Sequence, residues 1–128
     1  MEQLTKIHKK LVKETELSFF RYLYHEIDWG NRIVGIRGPR GVGKTTLMLQ
    51  HIKNDLNIND VLYINADDIY FSEHRILDLA ERLVQRGIQY LFIDEIHKYK
   101  DWSKELKLIY DYYSCLLYTS DAADDRIS

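Results

Sequence analysis

The chain has a single cysteine, and its five histidines are scattered along 128 residues. A lone cysteine cannot form an internal disulfide bond, and scattered histidines offer no cluster for a zinc site. No run of residues approaches the roughly eighteen apolar residues of a membrane span, and the N-terminus lacks the apolar core of a signal peptide. We therefore expect a cytoplasmic protein with no membrane span, no disulfide and no zinc site.

The sequence also lacks an excess of charge, because 18 Lys and Arg residues oppose 20 Asp and Glu residues for a net charge of −2. This balance gives no electrostatic case for nucleic-acid binding. Near the N-terminus, Leu4, Ile7 and Leu11 interleave with lysines at helical spacing, so we predict an amphipathic helix with a solvated basic face. The length and composition fit one α/β domain. The lysines of the basic face are Lys6, Lys9, Lys10 and Lys13.

The strongest signal is the segment GIRGPRGVGKTTL at residues 35–47. It contains the complete G-x-x-x-x-G-K-[ST] pattern of a phosphate-binding loop. Glycines let the backbone turn its N–H groups around an anion, because they tolerate positive φ and have no Cβ. Lys44 would place a positive charge at the β- and γ-phosphates, and Thr45 would offer a hydroxyl to Mg²⁺. The predicted nucleotide-binding residues are Gly38, Pro39, Arg40, Gly41, Val42, Gly43, Lys44, Thr45 and Thr46.

A strand and a helix are predicted on either side of this loop, as the chemistry requires. Residues 32–36 form a short apolar stretch that is suited to a buried parallel strand. After the loop, apolar residues recur on one face of a helix, whose N-terminus would add the positive end of its dipole to the phosphate site. These apolar residues are Leu47, Met48, Ile52 and Leu56.

Asp94 and Glu95 form a second group of candidate site residues at the end of the apolar run Tyr90–Ile93. The run predicts a buried strand, and ligands bind at the C-terminal ends of strands in open α/β sheets. In P-loop enzymes a carboxylate at this point holds Mg²⁺ through its water shell, and a following Glu can deprotonate the attacking water. We therefore assign Thr45 and Asp94 to the metal, and Glu95 and Lys44 to catalysis.

The rest of the chain alternates between helix and strand patterns. We predict a second strand over residues 61–65, then a helix that Ser72 caps and Gly87 ends, and a last helix that Asp101 caps. Strands that alternate with helices predict a parallel sheet covered on both faces, which is a three-layer αβα fold. The apolar faces of the two helices are Ile76, Leu79, Ala80, Leu83 and Val84, and Trp102, Leu106, Ile109, Tyr110 and Tyr113.

Residues 115–125, CLLYTSDAADD, do not continue this alternation. They have neither the apolar periodicity of a helix or strand nor a recognisable helix cap. Every residue of the stretch matches the translation of a transposase-type sequencing-library adapter. We therefore expect the native sequence to stop near Tyr113 or Ser114, and residues 114–128 to be a non-native tail that is excluded from fold reasoning. A genuine polar tail is the alternative.

Three segments, GPRGVGKTTL, YINADDIYF and YLFIDEIHKYKDWSKELKLIYDYY, resemble the prokaryotic AAA-type ATP-binding family (AAA family ATPases, AAA_14-like). The resemblance covers roughly residues 15–113. It implies a P-loop NTPase with a parallel sheet of strand order 5-1-4-3-2, and with ATP and Mg²⁺ as ligands. By this resemblance residues 38–46 are the Walker A loop, and Asp94 and Glu95 are the Walker B residues.

Five further residues match positions of the family. Asp67 and Asp68 match an acidic pair of unassigned role, for which a solvated turn is an equal alternative. His97, Lys98 and Trp102 also match, although a polar loop followed by a core tryptophan explains them well enough.

The resemblance also implies elements that should follow Tyr113, namely a fourth strand with a polar sensor residue, a fifth strand, an arginine finger and a lid domain. We therefore expect residues 1–30 to be a helical lead-in, and residues 31–113 to be the N-terminal part of an ATPase domain truncated after its third strand and following helix. The apolar residues 116–118 fall where the fourth strand would begin and can occupy its place. Lacking these elements, the 128-residue chain is expected to fold poorly and to show no appreciable ATPase activity.

ATP hydrolysis in the full-length protein is the reaction that we expect. A nucleotide-binding switch with slow turnover and a P-loop phosphotransferase are alternatives, as is an unstable fragment without activity. The expected partners are the nucleotide and the missing C-terminal half of the same protein. The resemblance is compatible with a homo-oligomer, and it identifies no DNA or protein partner.

Overall fold

A computed structural model describes residues 1–17, 33–35, 43–113 and 117–120. Helices and strands alternate along these ranges, as the sequence predicted. Short 3-10 turns occupy Ile58–Asp60, Ile69–Ser72 and Ile96–Lys98. The longer elements are α1 (Glu2–Lys13), β1 (Ile33–Gly35), α2 (Lys44–Asp55), β2 (Val61–Asn65), α3 (Ile76–Gln85), β3 (Tyr90–Asp94), α4 (Trp102–Tyr112) and β4 (Leu117–Ser120).

The four strands form one parallel sheet in the order β1-β4-β3-β2. Although the fold was predicted to end after α4, the backbone of β4 lies between β1 and β3, in the place that residues 116–118 were expected to occupy. Asn65 pairs with Asp94, so β2 and β3 end at the same edge of the sheet. The complete order 5-1-4-3-2, its fifth strand and the truncation stay predictions.

Successive residues of β2 and β3 are buried. Since alternate residues of a strand point to opposite sides of the sheet, both faces of these strands are covered. One face packs against α3 and α4, and the other packs against α2 and Val12 of α1. This arrangement agrees with the predicted layers. The strand residues of the first face are Leu62, Ile64, Leu91 and Ile93, and those of the second are Val61, Tyr63 and Phe92.

Helix α1 covers the outer side of β2, and its lysine face is exposed as predicted. The buried residues of α1 are Leu4, His8 and Val12. The Nδ1 atom of His8 accepts a 3.1 Å hydrogen bond from the backbone N–H of Tyr63, on the strand that lies at the edge of the described sheet. At the other end of α1, Lys53 Nζ donates hydrogen bonds of 2.8 and 2.7 Å to the carbonyl oxygens of Lys13 and Thr15.

The predicted N-cap of α3 is wrong. Ser72 lies in a 3-10 turn, where its hydroxyl donates to Ile69 O at 2.7 Å, and α3 begins four residues later, after Arg75. The first N–H groups of α3 are bonded by side chains that are distant in sequence. The N–H of Ile76 donates to Tyr99 Oη at 3.2 Å, and that of Leu77 donates to Glu105 Oε1 at 3.0 Å.

Three other predictions about helix ends and faces have mixed outcomes. Gly87 follows α3 with φ +79°, so its role in ending the helix is confirmed. Asp101 is the residue before α4, but its φ of 63° is left-handed and its side chain makes no capping bond to the described helix. Tyr110 is 37% exposed, so it does not belong to the buried face of α4.

No helix in the described ranges is both long and apolar enough to cross a membrane.

Candidate functional site

The structure describes the last part of the predicted phosphate-binding loop. Gly38, Pro39, Arg40, Gly41 and Val42 lie outside the described residues, whereas residues 43–46 lie within them. Gly43 precedes α2 with φ 82° and ψ 28°, in the left-handed region where a side chain would cause strain. The N–H of Leu47 donates to Gly43 O at 2.9 Å and starts the helix. Glycine at this position therefore has a conformational requirement as well as a motif match.

Lys44, Thr45 and Thr46 form the first turn of α2. The first N–H groups of an α-helix have no partner within the helix, and the macrodipole gives this end a partial positive charge. The first turn of α2 contains no acidic residue that would neutralise this charge. The N-terminus of α2 therefore has the charge and the N–H groups that suit a phosphate, and phosphate binding there stays a prediction.

Asp94 is buried at the end of β3 and accepts hydrogen bonds from three groups. The Thr45 hydroxyl donates to its Oδ2 atom, across a separation of 49 positions in the sequence. The hydroxyl of Tyr63 donates to the same Oδ2 atom at 2.5 Å, and the N–H of Glu95 donates to Oδ1 at 3.0 Å. The structure therefore brings together the two residues that were assigned to the metal, Thr45 and Asp94.

Tyr63 is the site residue that the sequence analysis missed. It lies on β2, and its side chain is 4% exposed. In the register of the sheet Tyr63 is opposite Phe92, and Asp94 lies two residues further along β3 on the same face. The strand prediction identified the segment but not its register, so nothing in the sequence indicated that the hydroxyl reaches Asp94.

Glu95 directly follows β3 with φ 56° and ψ 36°. A left-handed backbone costs a residue other than glycine about 1–2 kcal/mol, and such conformations cluster at functional sites. The Glu95 carboxylate lies 3.3 Å from His97 Nε2 and 3.8 Å from Lys98 Nζ. These side chains are partly exposed, so the contacts contribute little to stability.

Asp67 and Asp68, the acidic pair after β2, make different contacts. Asp68 Oδ1 accepts a 2.9 Å hydrogen bond from the N–H of Tyr70 and caps a 3-10 turn. Asp67 is exposed, and its Oδ2 lies 3.5 Å from Lys98 Nζ. Lys98 therefore contacts carboxylates on both sides, Asp67 after β2 and Glu95 after β3. For Asp68, the turn that was the alternative to a functional role accounts for the residue.

A cleft of about 630 Å³ lies between the segments that follow β2 and β3. Asp67 and Lys98 form part of its wall, and Tyr99 and Glu105 are among its buried residues. Its volume is in the range of small-molecule sites. Lys98 lines the cleft and also contacts the Glu95 carboxylate, so the cleft lies next to Glu95.

The donor atoms at Thr45 and Asp94 fit Mg²⁺. This cation prefers oxygen ligands, and it is usually bound by one or two protein groups together with phosphates of the substrate. Among the described residues, no three or more His, Cys, Asp or Glu side chains are grouped so that they could hold a metal by themselves. The hydroxyl at the start of α2 and the buried carboxylate at the end of β3 therefore offer the oxygen ligands that Mg²⁺ uses together with a nucleotide.

Comparison with known protein families gives a match over most of the chain. A family model described as an AAA domain matches residues 30–126, a range that includes all the residues assigned to the site. No curated protein and no solved structure matches the chain. The matched range continues past Tyr113, and the domain boundary at residue 114 stays a prediction.

Proposed function

The chain belongs to the AAA domain family, whose members are nucleotide-binding proteins of the ATPase type, and from this premise we propose that it binds ATP with Mg²⁺ and that this site hydrolyses ATP. The observation that carries the proposal is the hydrogen bond from Thr45 at the start of α2 to Asp94 at the end of β3. This bond joins the phosphate-binding turn to a buried carboxylate. Both groups have the chemistry that a magnesium nucleotide requires.

Each residue has a role in this proposal. Lys44 and the N–H groups of the loop from Gly38 to Thr46 bind the phosphates, and Thr45 and Asp94 hold Mg²⁺. Bound Mg²⁺ would neutralise charge on the β- and γ-phosphate oxygens. Glu95 removes a proton from water while the water oxygen attacks the γ-phosphorus. The bond between the γ-phosphorus and the bridging oxygen then breaks, and ADP and phosphate leave.

The position of Glu95 supports its role as the base. It is one residue beyond Asp94, and its strained backbone turns the chain at the end of β3. His97 and Lys98 hold its carboxylate by contacts of 3.3 and 3.8 Å. We infer that a carboxylate at this point can reach a water molecule beside the γ-phosphate, as a general base must.

A phosphotransferase is the second candidate, and the cleft beside Lys98 favours it. The cleft lies after β2, where an acceptor molecule would bind next to the γ-phosphate. If water is the acceptor, the protein releases phosphate from ATP in buffer alone. A phosphotransferase releases little phosphate without its acceptor. Phosphate release without any added small molecule therefore separates the two. A switch with slow turnover would release phosphate in a single turnover but not over many cycles.

The test of nucleotide binding is Lys44→Ala, studied by isothermal titration with MgATP. Loss of a charged hydrogen-bond donor costs about 1.5–3 kcal/mol, which corresponds to an increase in Kd of roughly 10- to 150-fold. Lys107→Ala is the matched control, because Lys107 is an exposed lysine of α4 that pairs with Asp111. An equal affinity of the wild type and Lys44→Ala for MgATP would show that this loop is not the nucleotide site.

A further inference from the structure

We propose that Tyr63 is a positioning residue of the metal site, and that helix α1 holds Tyr63 in place through His8. In this role the Tyr63 hydroxyl fixes the Asp94 carboxylate in the orientation that Mg²⁺ binding needs. The proposal rests on the proposed function, because it assumes that Asp94 serves a magnesium nucleotide. It goes further by connecting the N-terminal helix to the chemistry of the site.

The contact between Tyr63 and Asp94 is short and buried. The hydroxyl donates to Asp94 Oδ2 at 2.5 Å, and the two residues are 4% and 2% exposed. A hydrogen bond to an ionised carboxylate is stronger than one between neutral groups, and low polarity around it increases its strength. Tyr63 therefore restrains the rotation of the carboxylate more than an exposed partner could.

Tyr63 and Thr45 donate to the same oxygen of Asp94 but belong to different parts of the fold. Thr45 is in the turn that would contact the nucleotide, and its hydroxyl oxygen is itself a metal ligand in the proposed function. Tyr63 is on the strand next to Asp94 in the same sheet, and its hydroxyl lies in the core. Tyr63 can therefore keep the carboxylate oriented whether or not a nucleotide is bound.

Helix α1 is joined to Tyr63 by one hydrogen bond and by a shared core cluster. His8 is 1% exposed, its Nδ1 accepts the N–H of Tyr63 at 3.1 Å, and its Nε2 lies 3.3 Å from Ile58 O. Val12 of α1 belongs to the same core cluster as Tyr63. A continuous path of packed and hydrogen-bonded groups thus runs from α1 through β2 to Asp94.

The experiment measures the affinity of the 128-residue chain for ATP with Mg²⁺ and for ATP in EDTA by isothermal titration. Tyr63→Phe removes the hydroxyl and keeps the ring. Loss of a residue that orients a metal ligand typically lowers metal affinity about 10- to 100-fold. We therefore expect the gain in affinity on adding Mg²⁺ to fall by about tenfold or more in Tyr63→Phe, while binding in EDTA is unchanged.

Tyr90→Phe is the matched control, because Tyr90 lies at the other end of β3 and packs against the same core cluster. A second variant, His8→Leu, tests the contribution of α1 without changing Tyr63. We expect it to reduce the Mg²⁺-dependent gain in the same direction as Tyr63→Phe, and Tyr90→Phe to leave it unchanged. Thermal melts of all three variants report whether each is folded.

Equal loss of affinity with Mg²⁺ and in EDTA would mean that Tyr63 has only a structural role, and it would overturn the inference while leaving nucleotide binding intact. An unchanged Mg²⁺ effect in folded His8→Leu would overturn the part that concerns α1. If the wild type shows a cooperative thermal melt but does not bind ATP under either condition, both this inference and the proposed function are overturned. If Tyr63→Phe does not fold, an unchanged Mg²⁺ effect in folded His8→Leu would overturn the whole inference, and a reduced Mg²⁺ effect would support it.

Discussion

Glu105 caps helix α3 from a different helix, because its Oε1 atom accepts a 3.0 Å hydrogen bond from the N–H of Leu77, 28 residues earlier in the chain. The other oxygen of Glu105 accepts a 2.8 Å bond from the hydroxyl of Tyr99, which in turn accepts the N–H of Ile76. Arg75 Nε lies 3.6 Å from the same carboxylate. This buried network joins α3 to α4 at the wall of the cleft beside the candidate site.

Glu105→Ala should therefore destabilise the fold. The substitution leaves the N–H of Leu77 and the hydroxyl of Tyr99 without their acceptor, and each buried polar group that loses its partner costs about 1–3 kcal/mol. Ser72→Ala should change stability by less than about 0.5 kcal/mol, because Ser72 does not cap α3. Urea unfolding measures both free energies. A larger loss in Ser72→Ala than in Glu105→Ala would contradict the assignment.

The positions of the elements could be predicted from the sequence because they depend on local patterns. The second strand was predicted over residues 61–65 and is observed there, and Gly87 ends α3 as expected. The cap of α3 could not be predicted in this way. Ser72 satisfies the local rule, but the acceptors that bond the start of α3 come from Tyr99 and Glu105, which only the tertiary structure brings near.

The candidate site shows the same division. Thr45 and Asp94 could be predicted because each belongs to a sequence pattern with its own chemistry, and the parallel sheet then brings them together. Tyr63 has no such pattern. Its contact with Asp94 depends on the register between β2 and β3, and a shift of one residue would point its side chain to the opposite face.

In the full-length protein, Glu95→Gln is expected to separate nucleotide binding from hydrolysis. Gln keeps the size of the side chain but cannot accept a proton, so hydrolysis should fall by roughly the 10² to 10⁴ that general-base catalysis contributes. Affinity for MgATP should remain close to that of the wild type. Isothermal titration and single-turnover phosphate release measure the two properties. Equal release rates in the wild type and the variant would show that Glu95 is not the base, and release in a single turnover but not over many cycles would favour a nucleotide-binding switch.

Tyr99 should make the fold sensitive to alkaline pH. Burial and, to a smaller extent, the Glu105 carboxylate raise the pKa of Tyr99 to about 12, although the N–H of Ile76 and the charge of Arg75 act to lower it. Because the pKa is higher in the folded state than its ordinary value of 10.0, the stability it contributes is complete below pH 10 and is lost as pH rises towards 12.

The comparison with Tyr99→Phe tests this, because the chain has ten tyrosines and the others also titrate at high pH. At neutral pH the variant should be less stable than the wild type, since the N–H of Ile76 loses its acceptor. The difference in unfolding free energy should shrink as pH rises from about 10 towards 12. A difference that stays constant over this range would contradict the expected titration of Tyr99.

His8 should produce the opposite dependence at acid pH. Burial lowers the pKa of His8 below its ordinary value of 6.5, as does the charge of Lys9, whereas the hydrogen bond to Ile58 O raises it. Because the folded pKa is the lower one, the stability that His8 contributes is complete above pH 6.5 and is lost as pH falls through the folded pKa. Protonation places a donor at Nδ1 against the N–H of Tyr63, so α1 loses its bond to β2.

Burial also lowers the pKa of His51, so the wild type is compared with His8→Leu, which keeps His51. Urea unfolding at a series of pH values should show a steeper loss of stability below pH 6.5 in the wild type, and parallel curves would exclude His8 as the cause.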